Sequence, residues 1–149
     1  LAPWTLCQFD SGPGCEVVFP CVRKADVWDL YDDSSDAQRT WGDRLCRTAT
    51  NGSQRYQIAL GEGVPWIEFR DPRRGLVVRR QAGSLAAGQS LIDIRDAAPD
   101  TTPSRKGVRY SVYSDPANFM EIEAVGGAPA VLRPQVELCL KVTTRFACS

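Results

Sequence analysis

Phe119-Met120-Glu121-Ile122-Glu123-Ala124-Val125 alternates apolar and charged side chains with a period of two. Only an extended strand gives that alternation a purpose. It sends Met120 and Ile122 to one face and Glu121 and Glu123 to the other. Just upstream, Arg109-Tyr110-Ser111-Val112-Tyr113 repeats the pattern, with Tyr110 and Val112 on one side. The turn between the two runs contains Ser114-Asp115-Pro116, and Gly126-Gly127 ends the second run. Alternating runs bounded by such turn residues read as β-strands.

Similar runs recur along the whole chain: Trp4–Phe9, Cys15–Phe19, Val27–Tyr31, Arg55–Leu60, Trp66–Arg70, Leu76–Arg80, Leu91–Arg95 and Val136–Phe146. They are rich in Val, Ile, Tyr, Phe and Trp, which pack well on a pleated surface. In the last of them Val136, Leu138, Leu140 and Val142 would share a face, with Cys139 on the polar side. Gly12-Pro13-Gly14 separates the first pair, and Asp71-Pro72-Arg73-Arg74-Gly75 has the chemistry of a hairpin loop with glycine at an unusual φ. Asp96–Gly107 reads as a long polar surface loop, and the stretch around Asp33–Trp41 as the one short helix. The expected fold is mainly β: an antiparallel β-sandwich stapled by disulfides, spanning residues 1–149 as a single domain or as the C-terminal half of a larger sandwich.

Six cysteines, Cys7, Cys15, Cys21, Cys46, Cys139 and Cys148, are never closer than six positions. That spacing offers no paired metal ligands, and histidine is absent, so three disulfides in an oxidising compartment are expected. Sequence leaves all fifteen pairings open. Asn51-Gly52-Ser53 is a candidate N-glycosylation acceptor, which would also place the chain outside the cytosol. The opening Leu1-Ala2-Pro3-Trp4 suits a mature secreted chain or a fragment of a longer one. Eighteen basic and eighteen acidic residues cancel, so net charge does not steer the chain toward nucleic acid or an anionic membrane. No apolar run approaches the roughly 18 residues of a spanning helix, and no metal or cofactor is expected.

Without histidine, Ser-His-Asp and Cys-His catalysis are excluded. The remaining acid–base candidates are Glu121 and Glu123, which on a concave face could hold sugar hydroxyls or act as a general base. The alternative is a solvated pair of surface charges. Trp28 and Trp41 flank an acidic stretch (Asp26, Asp29, Asp32, Asp33, Asp36) and are candidates for an aromatic plate under a sugar ring. Trp4 and Trp66 are expected in the core. The acidic stretch lacks the spacing of a calcium loop. Arg70, Arg73, Arg74, Arg79 and Arg80 either bind acidic groups or simply decorate a hairpin.

The run Phe119–Gly126, followed by Ala130-Val131-Leu132-Arg133-Pro134 and a strand ending Thr143-Thr144-Arg145-Phe146, resembles the end of the galactose mutarotase-like (aldose 1-epimerase-like) β-sandwich family. There a carboxylate-bearing strand precedes a leucine-x-proline turn and a closing Thr-rich strand. Leu1-Ala2-Pro3-Trp4-Thr5 resembles a segment just past that family's midpoint, so the chain matches only the C-terminal half of the family's domain. The resemblance implies the sandwich fold and sugar affinity. The family uses a histidine acid and a glutamate base. Glu123, or else Glu121, falls where the base would be, and no residue here matches the acid. The leading expectation is therefore a non-catalytic secreted module that binds carbohydrate or another extracellular partner. The rivals are a self-assembling structural subunit and a mutarotase-type epimerase completed by a second chain.

Overall fold

In chain order the strands are β1 (Trp4–Asp10), β2 (Glu16–Pro20), β3 (Val27–Asp29), β4 (Arg39–Trp41), β5 (Leu45–Ala49), β6 (Tyr56–Leu60), β7 (Ile67–Asp71), β8 (Leu76–Ala82), β9 (Gln89–Ser90), β10 (Tyr110–Asp115), β11 (Phe119–Val125), β12 (Ala128–Pro129) and β13 (Val142–Cys148). They come from a computed structural model that describes residues 2–31, 33–93 and 107–148. Every pairing is antiparallel. A five-stranded sheet runs β1-β11-β10-β6-β3, a six-stranded sheet runs β13-β8-β7-β2-β5-β4, and β12 pairs with β9.

The alternation in the sequence sorts side chains as expected. Met120, Ile122 and Ala124 of β11, Tyr110 and Val112 of β10, and Tyr56, Ile58 and Leu60 of β6 leave the first sheet toward one core. Val17 and Phe19 of β2, Ile67 and Phe69 of β7, and Val78 of β8 enter the same core from the second sheet. Phe9 of β1 stacks on Phe69 of β7, ring centroids 4.9 Å apart, so the two sheets meet face to face there. Polar links cross the interior as well. The Tyr110 hydroxyl accepts from the Ala82 amide (2.8 Å) and donates to the Pro65 carbonyl (3.0 Å). Arg80, only 2% exposed, donates to the carbonyls of Thr5 (3.0 Å) and Ile122 (2.7 Å). Burial lowers its pKa, since a desolvated charge is held here by neutral oxygens.

The hairpin between β7 and β8 turns at Asp71–Gly75, and Gly75 adopts φ 59°, as its turn chemistry requires. Asp71 carries the corner. Arg73 and Arg74 both bond its carboxylate (2.9 and 3.3 Å), and the Arg73 hydrogen bond is the main reason its pKa falls to about 2.

Several expectations are corrected. The closing strand was read as Val136–Phe146, but β13 begins only at Val142 and residues 136–141 are irregular. Its partner β8 ends at Ala82, opposite Val142, and after the Gly83 amide bonds the Lys141 carbonyl there is no edge left to pair with. Residues 91–93 form no strand, and the rest of Leu91–Arg95, like nearly all of the Asp96–Gly107 loop, lies outside the described residues. The helix around Asp33–Trp41 is one 3-10 turn, Asp36–Gln38, after which Arg39–Trp41 pairs with β5. Trp4 is 49% exposed rather than core, because the outward positions of β1 are Trp4, Leu6 and Gln8.

The expected disulfide framework is not formed: none of the six cysteines, all of them described, is bridged. The fold scatters them. Cys7 lies on edge strand β1, and Cys15 is buried at the foot of β2 beside Asp71. Cys139 sits in the irregular 136–141 segment, and Cys148 at the end of β13. Only Cys21 and Cys46 are brought close, at 3.3 Å.

Candidate functional site

The register across the five-stranded sheet sets Leu6, Glu123, Ser111, Ala59 and Trp28 in one transverse row. Their neighbours Met120, Ile122, Tyr110, Val112, Ile58 and Leu60 point into the core, so this row lies on the opposite face. Glu121 and Gln57 continue it one step along their strands, opposite Tyr113. Glu121, Glu123 and Trp28 therefore share one face of one sheet.

Glu123 is not solvated there. It is 2% exposed. The Gln57 amide donates to Ser111 Oγ (2.9 Å) and lies 3.5 Å from Glu123 Oε2. Burial, aided by the nearby Glu121 carboxylate and opposed by hydrogen bonds from Ser111 and Gln57, pushes the Glu123 pKa up to about 7. Glu123 is thus a buried carboxyl rather than a solvated surface charge. Ala59, Val125, Leu30 and Val108 form a second small apolar cluster on this face, with Ala2, Trp28 and Ile92 packed against it.

Trp28 occupies the far end of the row, three strand spacings or about 14 Å from Glu123. It lines a cleft of about 370 Å³ together with Asp26, Glu62, Gln89, Ser90 and Leu91. Gly61 brings its backbone against the indole, where an added Cβ would lie 3.6 Å from Trp28 Cζ3. The lining thus sets carboxylate, amide and hydroxyl groups around an aromatic side chain.

Trp41 is not part of this arrangement. It lies on β4, at the edge of the other sheet, with the Lys24 ammonium 5.5 Å from its ring centroid. Apart from Arg80, which bonds backbone carbonyls, the basic set is consumed in ion pairs: Arg70 and Arg79 grip buried Glu68 (2.7 and 2.6 Å), and Arg74 also reaches Asp10 (2.6 Å). Arg79 additionally covers half-buried Trp66 at 3.9 Å. In the acidic stretch, Asp29 and Asp36 both bind Arg39, and Asp26 binds Arg23; Asp32 lies outside the described residues. Among the described residues no group of three or more Cys, Asp or Glu could hold a metal ion. Asn51 is exposed in the turn between β5 and β6, its Oδ1 accepting from the Ser53 amide (3.0 Å).

Sequence reading missed one feature of this face. Tyr31 and Tyr113 meet edge to face (6.4 Å between centroids), Phe119 lies tilted against Tyr113 (5.7 Å), and Arg55 lies 5.0 Å from the Tyr31 ring. Period-two alternation marked Tyr113 as outward, but nothing local joined it to Tyr31. Glu62, Gln89 and Ser90 were missed for the same reason, being brought to Trp28 only by the tertiary fold.

No family model, no curated protein and no solved structure matches the chain. Fold and site chemistry therefore define a class only: an antiparallel β protein of two main sheets and a small two-stranded one, with a polar cleft beside Trp28 at one sheet edge.

Proposed function

We propose that this chain is an extracellular β-sandwich module that binds carbohydrate without turning it over. The observation that carries the reading is the Trp28 cleft, where an indole face meets Asp26, Glu62, Gln89 and Ser90 in a space suited to a sugar ring. Stacking on the indole would supply affinity, and the polar groups would fix the hydroxyl pattern. The resemblance of Phe119–Gly126 and the residues after it to the mutarotase-like family would imply sugar affinity as well. The lack of histidine, and the seclusion of Glu123 from the cleft, argue against epimerisation by this chain alone.

The test is calorimetric titration with neutral mono- and oligosaccharides, with tryptophan fluorescence read in parallel. Binding should fall at least tenfold in Trp28→Ala and in Gln89→Ala, the second guarding against a packing defect at Trp28. Binding untouched by both substitutions, or none across a glycan array, refutes the reading. Polarimetry on freshly dissolved galactose or glucose covers the enzymatic rival: mutarotation faster than buffer, lost in Glu123→Gln, would replace a binding module with an epimerase.

Self-assembly is the second reading, favoured by the open sheet edges. Strands β1 and β13 each have one neighbour, and Trp4 (49%), Leu6 (49%) and Phe146 (66%) are exposed along them. Sedimentation velocity over a hundredfold concentration range would reveal association, and Phe146→Lys should suppress it.

A further inference from the structure

We infer that Cys21 and Cys46 are a disulfide pair whose closure locks the 21–46 excursion onto the end of β2. The register places Phe19 opposite Cys46 and Pro20 opposite Leu45. The Cys21 amide then bonds the Arg44 carbonyl (2.9 Å), continuing the ladder one step past the strand. With side chains alternating, Cys21 falls on the same face as Cys46, one diagonal step away. The two approach to 3.3 Å. A bond requires about 2.0 Å between sulfurs, so closure asks for a shift of little more than an ångström.

The surroundings assign the roles. Cys46 is 1% exposed, and its sulfur receives hydrogen bonds from the backbone of Val22 and Gly42. Burial first, and then the adjacent Cys21 thiol, push its pKa up to about 11. Cys21 is exposed, at the mouth of the pair. A low-molecular-weight disulfide is the oxidant that this geometry admits. The Cys21 thiolate attacks one of its sulfurs, forming a mixed disulfide and expelling the first small thiolate. Cys46 then gives up its proton and attacks the Cys21 sulfur, forming the Cys21–Cys46 bond and expelling the second. The two protons lost by the protein leave with the two small thiols, and the two electrons reduce the oxidant.

The closed loop would contain both 3-10 turns, β3 and β4. Asp26 and Trp28 of the cleft lie within it, as do Arg23 and Lys24. The inference does not depend on sugar binding, and its readout is a mass.

The experiment equilibrates the folded protein in glutathione buffers of graded ratio, alkylates free thiols, and digests with trypsin and a Glu-specific protease without reduction. Those enzymes isolate Cys21 in peptide 17–23 and Cys46 in peptide 45–47. The two peptides should appear joined, 2 Da below the sum of their thiol forms, and the joined species should vanish in Cys46→Ser and in Cys21→Ser. Before digestion for mapping, the oxidised protein should also resist limited trypsin attack at Arg23 and Lys24 severalfold longer than the reduced protein. Alkylated Cys21 and Cys46 persisting at the most oxidising ratio, with the β-sheet circular dichroism retained, would overturn the inference. So would Cys21 joined to a different cysteine.

Discussion

Replacing Glu123 with glutamine should change the pH dependence of stability more than stability itself. The carboxyl is buried against Ser111 and Gln57 and holds its proton until about pH 7, whereas an exposed glutamate releases it near 4.5. Between those values the folded chain binds more protons than the unfolded one, so stability falls as pH rises. The contribution is fully present below pH 4.5, is lost as pH passes through 7, and is flat above. At about 1.4 kcal/mol per pH unit, a displacement from 4.5 to about 7 is worth about 3 kcal/mol. The background is unusually clean, because a chain with no histidine has few other side chains that titrate in this window. Urea unfolding of both proteins from pH 4.5 to 8.5 gives the difference directly, since shared titrations cancel. The Glu123→Gln variant should stand within about 1 kcal/mol of wild type at pH 4.5 and gain about 3 kcal/mol on it by pH 8. A difference that stays constant across the range would show that Glu123 ionises normally and that its seclusion is wrongly drawn.

Other expectations are briefer. Tyr56→Phe removes a buried hydroxyl that donates to the Ala49 carbonyl (2.6 Å) and pairs with Thr48 Oγ1 (2.8 Å), and should cost about 1–3 kcal/mol by denaturant titration. Asp71→Asn should remove stability that wild type holds above pH 3.8 and loses as pH falls through about 2. The loss at neutral pH should be about 1–2 kcal/mol, reduced by the exposure of both arginine partners. Gly42→Ala drives a Cβ to 2.7 Å from the Leu45 carbonyl in the β4–β5 hairpin and should lower the melting temperature measurably, with Gly63→Ala, whose Cβ would meet its nearest neighbour at an ordinary 3.7 Å, as the contrast.

The sequence was most legible where one face is apolar and the other polar. β11 has the bounds its alternation suggests, and β10, β6 and β7 fall within two residues of expectation. β4 and β5 were illegible because Arg39-Thr40-Trp41 and Leu45-Cys46-Arg47-Thr48-Ala49 carry too few apolar residues to show a period; β5 is made a strand by pairing with β2, and β4 by pairing with β5. The opposite error came at Val136–Lys141, whose alternation is regular but whose partner strand has already ended. At the site, Glu121, Glu123 and Trp28 were found by residue type and period. That Glu123 is secluded, and that Trp41 belongs to the other sheet, depend on strand order, which alternation does not encode. The arginines misled for a related reason: their partners Glu68, Asp71 and Asp10 are visible in sequence, but only the β7–β8 hairpin brings Arg79 back to Glu68.

The strand order has a kinetic consequence. The chain passes from β1 in one sheet to β2 in the other, returns for β3, leaves for β4 and β5, returns again for β6, and crosses once more for β7 and β8. Neither sheet can be completed from one contiguous stretch. β1 must await β11, more than a hundred residues later, before it has any neighbour. Loop closure of that span precedes the contacts that reward it, which places refolding in the slow, millisecond-to-second regime of nonlocal β topologies. During that interval the first strand, with Trp4 and Leu6 on its outward side, is the segment left waiting for a partner.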